Sequence, residues 1–596
     1  MPTVDYDGGM ASKADVLAML DELVTLTTLE EESPQSFKVR AYEKAKLGIQ
    51  AYQEDDLLEL SVTQLTKLDG VGKATASKMR ELIDNGSVDK IETLRKKYPP
   101  EFVELSRIPG LGPKTLKLVR SKLGVENVDD LRAAVDAKEL RKLPRMGEAS
   151  EAKIAKAIER LGLSGKDKRT PIDDALPLAN RLVADLRQLD DVVDVAYCGS
   201  LRRMSETIGD IDITVASTNP KPVMDHVVNH HEVVEIVVSG ETKTSFLTNT
   251  GLQVDVRVVS ADQFGAATLY FTGSKAHNIA LRQRAIDQDL LLNEYGLFRE
   301  GAKKSPIASA SEEEIYNALG LEYIPPPMRE GTGEVAAAAD NGMPELVQVS
   351  DIRGDLHYHT DRSGDGKSTL AEMVSAAAAQ GYSYLAITDH GEDLSINGVK
   401  QEQMLEHRED IAALQDDYPD MTLLFGCELN IDGDGNLDYT AEFRSLFDYT
   451  VASVHSHFDQ SPEKQTERLV KAIADPSVNS IGHLTGRYIG RRPGIELNID
   501  IVLEALLAFD VALEVNGALK RLDAAAEVVR RAVKRGVKLV INTDSHHVSE
   551  VNRVEYGVLT AQRGWAPKDL VVNTWERERF LDWVNKPKPT DAALAN

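Results

Sequence analysis

Tyr197-Cys-Gly-Ser-Leu-Arg-Arg-Met-Ser-Glu-Thr-Ile-Gly-Asp-Ile-Asp-Ile-Thr214 sets a Gly-Ser turn and two arginines ahead of a paired Asp210 and Asp212 in an Ile-rich run. Side chains at i and i+2 of a strand share one face, so these two carboxylates stand side by side. On a buried sheet such a pair is strongly disfavoured unless a divalent cation neutralises it, which points to Mg²⁺. A third carboxylate is expected on a neighbouring strand, and Val254-Asp255-Val256 supplies one between apolar residues. Three such acids suit two-metal catalysis, in which one ion activates an attacking hydroxyl while the other holds the phosphates and the leaving oxygen. An isolated Asp-x-Asp also fits an exposed strand face; the Gly-Ser-x-Arg-Arg turn upstream favours the catalytic reading.

Around this stretch, from about Pro171, Val- and Ile-rich runs alternate with helical ones: Val192 to Ala196, Asp210 to Ala216, Val233 to Val238 and Leu252 to Val259 read as strands. Upstream, three segments align without a gap: Leu65-Thr-Lys-Leu-Asp-Gly-Val-Gly72, Leu105-Ser-Arg-Ile-Pro-Gly-Leu-Gly112 and Leu140-Arg-Lys-Leu-Pro-Arg-Met-Gly147. Each precedes a helical run. This is the pattern of a helix-hairpin-helix, whose glycines let backbone N–H groups at the start of the second helix face a phosphate. A single Gly-x-Gly is an ordinary turn; three in register predict binding to the DNA backbone without base preference. The third copy has Arg145 in place of the first glycine.

Downstream, Pro325-Pro-Pro327 and the Gly/Ala-rich Gly331 to Gly342 read as a linker. Beyond it, strand-like runs ending in His, Asp or Glu alternate with helices as far as Trp583, the pattern of an α/β barrel. Most of the chain's 13 histidines fall here. Asp355-Leu-His357-Tyr-His359 puts two imidazoles on one strand face, and Asp389-His390, Glu428, His455-Ser-His457, His483 and Asp544-Ser-His546 follow at successive strand ends. One strand histidine is usually a satisfied core residue, but a series at barrel strand ends suits a cluster of Zn²⁺, Mn²⁺ or Fe²⁺.

The composition of the 596 residues is that of a soluble globular chain, 42% hydrophobic and with no apolar run of membrane-spanning length, and Met1 to Ala11 lacks a secretory signal. A cytoplasmic, nucleoid-associated protein without a membrane partner is expected. Cys198 and Cys427 lie far apart in strand-like runs and read as buried hydrophobes rather than a disulfide or thiolate metal site. The formal charge of −27 works against phosphate binding globally, yet Gly110 to Arg120 carries three cations and no acid.

Gly199-Ser-x-Arg-Arg, Glu206, Gly209-Asp-x-Asp212 and Tyr270-Phe-Thr-Gly-Ser274 together resemble the palm and thumb of family X DNA polymerases, the group that includes DNA polymerase beta, from Phe37-Lys-Val-Arg-Ala-Tyr42 through Pro325. The resemblance implies that Asp210, Asp212 and Asp255 hold Mg²⁺ or Mn²⁺, and that Ser200, Arg203 and Gly209, beside Gly199, hold the triphosphate. Tyr270 and Gly273 would line the sugar pocket, Asn278 would contact the incoming base and Arg282 the template side. Gln253 departs from the arginine of vertebrate relatives, which leaves the tuning of Asp255 open. In relatives that cleave 5′-deoxyribose phosphate the nucleophile is a lysine six residues after the second hairpin glycine, the place of Lys78; a simple phosphate contact is the alternative for an amine on such a helix.

The C-terminal region resembles the PHP phosphoesterases, whose nine metal ligands map onto His357, His359, Asp365, His390, Glu428, His455, His483, Asp544 and His546. Asp365 stands in Ser363-Gly-Asp-Gly366, one residue longer than the family's Ser-Asp-Gly, so either the loop bulges to deliver Asp365 or Asp361 replaces it. His457 and His547 are read as flanking the cluster or facing solvent; Arg487 and Arg491 as phosphate receivers or an exposed basic loop.

The multidomain expectation is then a helical DNA-binding, lyase-like domain over 1–90, fingers over 91–170, an α/β palm over 171–262, a small α+β thumb over 263–328, a linker over 329–350, a distorted seven-stranded PHP barrel over 351–583 and a tail over 584–596. The implied activity is template-directed filling of gapped or nicked duplex DNA from dNTPs in base excision repair, by a monomer. A PHP 3′ to 5′ exonuclease would accompany it, with 3′-phosphatase or abasic-site cleavage as further forms. Two alternatives are a DNA-end scaffold with only the PHP site active, and a small-molecule phosphatase fused to a nucleotidyltransferase with a non-DNA acceptor.

Overall fold

The computed structural model describes residues 13–587 and 589, except 53–56, 107, 109–110, 145, 162–168, 300–304 and 395. Gly110, Arg145, Met1 to Ala11 and most of the 584–596 tail therefore lie outside the described residues. Among those described, no helix is long and apolar enough to cross a membrane.

The N-terminal region is helical. Its hairpins lead into helices Lys73–Asn85, Pro113–Leu123 and Glu148–Leu161. Gly70 has φ +71°, and a Cβ there would lie 2.6 Å from the Lys44 carbonyl oxygen, so the first hairpin admits only glycine. By contrast, among the described residues a Cβ at Gly72, Gly112 or Gly147 would meet nothing within 4 Å, so the glycine heading each of these helices stands in the open. The basic stretch after the second turn is partly neutralised: Lys117 pairs with Glu32, and Arg120 with Glu126 at 2.7 Å. Leu82, Val88, Ile91 and Leu94 belong to one core that runs from Val16 to Ile158, so packing continues across residue 90.

Next comes a five-stranded sheet ordered Val192–Tyr197, Asp210–Ser217, Gln253–Val259, Lys243–Leu247 and Glu235–Ser239. The strand Lys243–Leu247 (KTSFL) escaped the sequence reading because its short run of Lys, Thr and Ser lacks a β-branched apolar signature. Helices Phe264–Thr272, Lys275–Ile286 and Glu312–Ala318 with the hairpin Leu290–Asn293/Gly296–Arg299 form a small α+β unit.

The segment 329–350, expected as a linker, is instead folded onto that unit. Arg329 is fully buried and bidentate on Glu312 at 2.7 and 2.9 Å, while Glu334 is fully buried and accepts from His277 Nδ1 at 2.7 Å. Its Gly/Ala-rich composition conceals two charges that are each fully compensated. Arg202 of the palm also grips Glu312, at 2.6 Å, so burial, which disfavours the charged carboxylate, is outweighed by the two guanidiniums and the group titrates at about 2.

Seven parallel strands, Gly354–Tyr358, Tyr384–Ile387, Thr422–Asn430, Tyr449–Ser453, Ser480–Ile481, Ala512–Asn516 and Leu539–Asn542, follow in chain order around a nearly closed barrel. Side chains stitch the last seam: Leu356 N donates to Asn542 Oδ1 at 3.1 Å and Thr543 N to Asp355 Oδ2 at 3.2 Å. The strands are buried on both faces and therefore read as continuous apolar runs.

Barrel and palm share a core. Ile489 and Leu522, from loops of the barrel, are buried among Ile172, Leu176 and Ile208 of the palm. Leu522→Ala is thus expected to cost about 2–5 kcal/mol, the usual range for a buried leucine. A denaturation midpoint of the full chain that moves no more than for the surface change Val193→Ala would show that this junction is not load-sharing.

Candidate functional site

In the palm, the strands carrying the acids run parallel, with Asp212 directly opposite Asp255 and Asp210 opposite Gln253. The three carboxylates form one patch, as the i, i+2 spacing requires. Burial first, then Asp210 and Asp255, raise the Asp212 carboxyl to about 7. Asp255 is held below the usual carboxylate range although burial opposes it, chiefly because Lys243 and Gln253 donate to it. Lys243 Nζ lies 2.8 Å from Asp255, and Gln253 Nε2 donates to it at 2.7 Å. Gln253 thus keeps a donor on the third aspartate where vertebrate relatives have arginine. A patch in which one acid's charge is resisted by its neighbours fits divalent cations.

Gly199 has φ +63°, and a Cβ there would lie 2.8 Å from Asp212 Oδ2, so the turn can press against the patch only without a side chain. From it runs the short helix Gly199–Arg202, and the Ser200 carbonyl accepts from Ser205 N at 2.9 Å. Arg203 donates to the Thr272 carbonyl at 2.6 Å and to Glu330 at 3.0 Å, and Gly273 packs beside its Nη1. Gly209 is exposed just before Asp210. Asn278 donates to the Tyr270 carbonyl at 2.8 Å, and the Arg282 guanidinium lies 5.2 Å from the Tyr270 ring; these three line one small cavity with Ala266 and Leu269. Lys78 lies apart, on the first hairpin's second helix, 6.0 Å from the Tyr42 ring, with its amine pKa lowered by burial.

In the barrel, Glu428 is the hub. His455, His483 and His357 present Nε2 to its Oε1 at 3.3, 3.0 and 3.4 Å. His390 Nδ1 stands 2.8 Å and His359 Nε2 3.5 Å from Oε2, and Asp544 Oδ1 lies 3.4 Å from His359. Asp365 Oδ2 is 3.4 Å from both His390 and His546, whereas Asp361 is exposed. All nine positions singled out by sequence therefore come together.

The inserted residue is absorbed by the loop itself. A Cβ on Gly366 would strike the Thr360 carbonyl oxygen at 1.8 Å, Asp389 accepts from Thr360 N and Ser363 Oγ at 2.8 and 2.6 Å, and Asn397 donates to Asp365 at 2.8 Å.

Three overlapping groups have donor atoms within 4.8 Å of one another: His359, His390 and His546; His357, His359 and Asp544; His390, Glu428 and His455. Among the described residues, both Glu428 oxygens, His357 Nε2, His359 Nε2 and both His483 nitrogens are buried without a hydrogen-bond partner. Burial first, then the neighbouring His546 and His390, lower His359 to about 4; burial likewise disfavours charged His390, but Glu428 and Asp365 raise it to about 10. Orphaned, converging N and O donors of this kind fit a cluster of divalent transition metals.

Residues the sequence reading passed over complete the site. Glu514, fully buried, accepts from His357 Nδ1 at 2.6 Å and so turns Nε2 inward, the usual orienting role of a second carboxylate. Arg521 places Nε 3.6 Å from Asp544 Oδ2, and among the described residues its buried Nε and Nη1 have no hydrogen-bond partner. Arg487, expected near the metals, instead faces the palm, donating to Glu206 at 2.8 Å and to the Arg521 carbonyl at 2.9 Å. Its direction follows from Glu206, an acid from the other domain. Arg491 is largely exposed, 4.0 Å from Asp173. His457 is exposed, and His547 turns to Ser549.

Family models match a helix-hairpin-helix domain over 11–88, a SAM-like helix-hairpin-helix tandem over 102–160, a DNA polymerase beta palm over 169–291, a DNA polymerase beta thumb over 267–330 and a PHP domain over 355–518. A DNA polymerase/3′-5′ exonuclease PolX of Bacillus subtilis is 35% identical over 566 residues, 94% of this chain and 97% of that protein. A probable phosphatase of Acetivibrio thermocellus is 29% identical over 242 residues, 39% of this chain and 95% of the relative. With helical hairpins, an aspartate-bearing palm and a histidine-lined barrel in this order along one chain, the protein belongs to the PolX group of family X DNA polymerases that carry a PHP domain.

Proposed function

We propose that the chain fills short gaps in duplex DNA during base excision repair and trims 3′ ends at its barrel. The observation that carries the first activity is the pairing of Asp212 with Asp255 beside Asp210, under a Gly199 turn that presses against them. The hairpin turns would hold the DNA backbone, Ser200, Arg203 and Gly209 the triphosphate, and Tyr270 and Gly273 the sugar. Asn278 and Arg282 would face the nascent pair. The primer 3′-hydroxyl attacks the α-phosphate and pyrophosphate leaves, so the palm residues have to align that oxygen with the phosphate and hold the leaving group.

Held by Asp210, Asp212 and Asp255 in the palm (Mg²⁺ or Mn²⁺) and by the nine barrel residues (Mn²⁺, Zn²⁺ or Fe²⁺), divalent ions would supply charge neutralisation at phosphate oxygens and a more acidic attacking water. At the barrel Glu514 fixes the His357 ring, and Arg521, whose Nη1 has no hydrogen-bond partner among the described residues, would receive the scissile phosphate. That arginine supports phosphodiester rather than purely structural use, since a buried guanidinium with orphaned donors otherwise costs stability. The same site would serve 3′-phosphate removal or abasic-site cleavage where the end fits.

Asp212→Asn is expected to lower single-nucleotide insertion on a gapped duplex by on the order of 10³-fold, several kcal/mol of transition-state stabilisation, while 3′-end degradation continues. Glu428→Gln should do the reverse. Both losses falling together in either variant would argue against two separate centres. Arg521→Ala is expected to slow 3′-end degradation by about 10²-fold, as for loss of one oriented donor, with bound metal, measured by elemental analysis, unchanged. A variant that loses metal instead would assign Arg521 to holding the cluster together.

Lys78 supports a lyase step as well, because burial holds its amine below the usual lysine range and so favours the neutral nucleophile. Borohydride should trap the protein on DNA bearing a 5′-deoxyribose phosphate, and Lys78→Ala should lose most of that adduct. Undiminished trapping would exclude Lys78.

A further inference from the structure

The last residue of the barrel helix Val554–Arg563 reaches out of its own domain. Arg563 Nη1 donates to the Arg203 carbonyl at 2.8 Å and to Ser205 Oγ at 3.1 Å, and lies 2.8 Å from Glu330 Oε1. Arg203 Nε binds that same Glu330 oxygen at 3.0 Å. One carboxylate is therefore shared by two guanidiniums, one from the palm and one from the PHP domain. All three side chains are mostly removed from solvent, at 14% exposure for Arg203, 22% for Glu330 and 23% for Arg563.

This arrangement matters because of what Arg203 would have to do. A guanidinium that is to take a triphosphate cannot also be the sole partner of a half-buried carboxylate, since leaving it strands an uncompensated charge. The triphosphate would then compete with Glu330 for the arginine. With a second cation already on Glu330, Arg203 can turn away without stranding it. The hydrogen bonds from Arg563 to the Arg203 carbonyl and Ser205 meanwhile fix the backbone from which that side chain swings.

We propose that Arg563 is a positioning residue for nucleotide binding at the palm, a reserve partner for Glu330 supplied by the PHP domain that leaves Arg203 available to the triphosphate. The PHP domain then contributes to polymerisation by a contact separate from its own metal cluster. The inference rests on the reading of Arg203 as a triphosphate ligand.

The test is steady-state insertion of one dNTP into a single-nucleotide gap by the full-length protein, with kcat and KM resolved. Arg563→Ala should raise the KM for dNTP about five- to twenty-fold, the size of one coupling between contacting charges, with kcat within about two-fold. Arg563→Lys, which keeps the charge, should recover most of the loss. In the double variant Arg563→Ala/Glu330→Gln the KM should return close to that of Glu330→Gln alone, because the competing carboxylate is gone.

A KM for Arg563→Ala within about two-fold of the parent, or an equal rise in the Glu330→Gln background, would overturn the proposal. So would a matching fall in 3′-end degradation, which would mark a general structural loss. Arg203→Ala separates the two levels. If it raises KM while Arg563→Ala does not, only this inference fails; if it leaves KM unchanged, the triphosphate reading fails and the inference with it.

Discussion

Ionisable groups crowded where water is scarce constrain both halves of this protein. Asp212 faces Asp255 across a parallel pair, and Glu428 stands fully walled in by imidazoles. In the palm each acid makes the next charge harder to carry, whereas in the barrel burial disfavours the Glu428 charge and the surrounding imidazoles more than offset it, holding the carboxyl well below its usual range. The surrounding structure is arranged around that crowding. Glycine is required at Gly199 so that the turn can touch Asp212, Lys243 and Gln253 donate to Asp255, and Glu514 aligns His357 toward the cluster.

Much of this was legible in the sequence because it is periodic. The Asp210/Asp212 pair and the His357/His359 pair both announce a shared strand face, and hairpins that repeat in register identify themselves against a background of ordinary turns. Asp255 was found as an acid isolated between valines. Glu514, in Ala512-Leu-Glu-Val-Asn516, carries the same signature and could have been found by the same rule. It lacked only a partner nearby in sequence. Arg521 was beyond reach because nothing local distinguishes it; its place beside Asp544 exists only once the barrel closes. The 329–350 segment was misread for a related reason, since Arg329 meets Glu312 and Glu334 meets His277 only once the segment has folded back on the preceding helices.

The junction between palm and barrel shows how a single loop pair serves two purposes. Leu522 is buried in the palm core, and its neighbour Arg521 borders Asp544 of the histidine-lined cluster. Arg487 ties both together: its Nε donates to the Arg521 carbonyl, and its Nη2 donates both to the Leu522 carbonyl and to Glu206 of the palm. The wall of the second centre is therefore braced against the first domain. A rigid seam of this kind follows from its composition: an apolar plug resists separation, and a half-buried arginine with satisfied donors fixes the angle.

That bracing bears on why the basic loop Gly486-Arg-Tyr-Ile-Gly-Arg-Arg492 is basic at all. Read alone, it suits a phosphate site. In place, Arg492 caps the Gly486 carbonyl and stacks on Phe458 and Tyr488, Arg487 answers Glu206, and Gly490, at φ +72°, lets the backbone pass against Pro171. The charges hold a turn and a domain contact. Under the proposed function phosphate recognition would fall instead to Arg521, on the ground that leftover donors, rather than local charge density, are the better guide to where a substrate is expected.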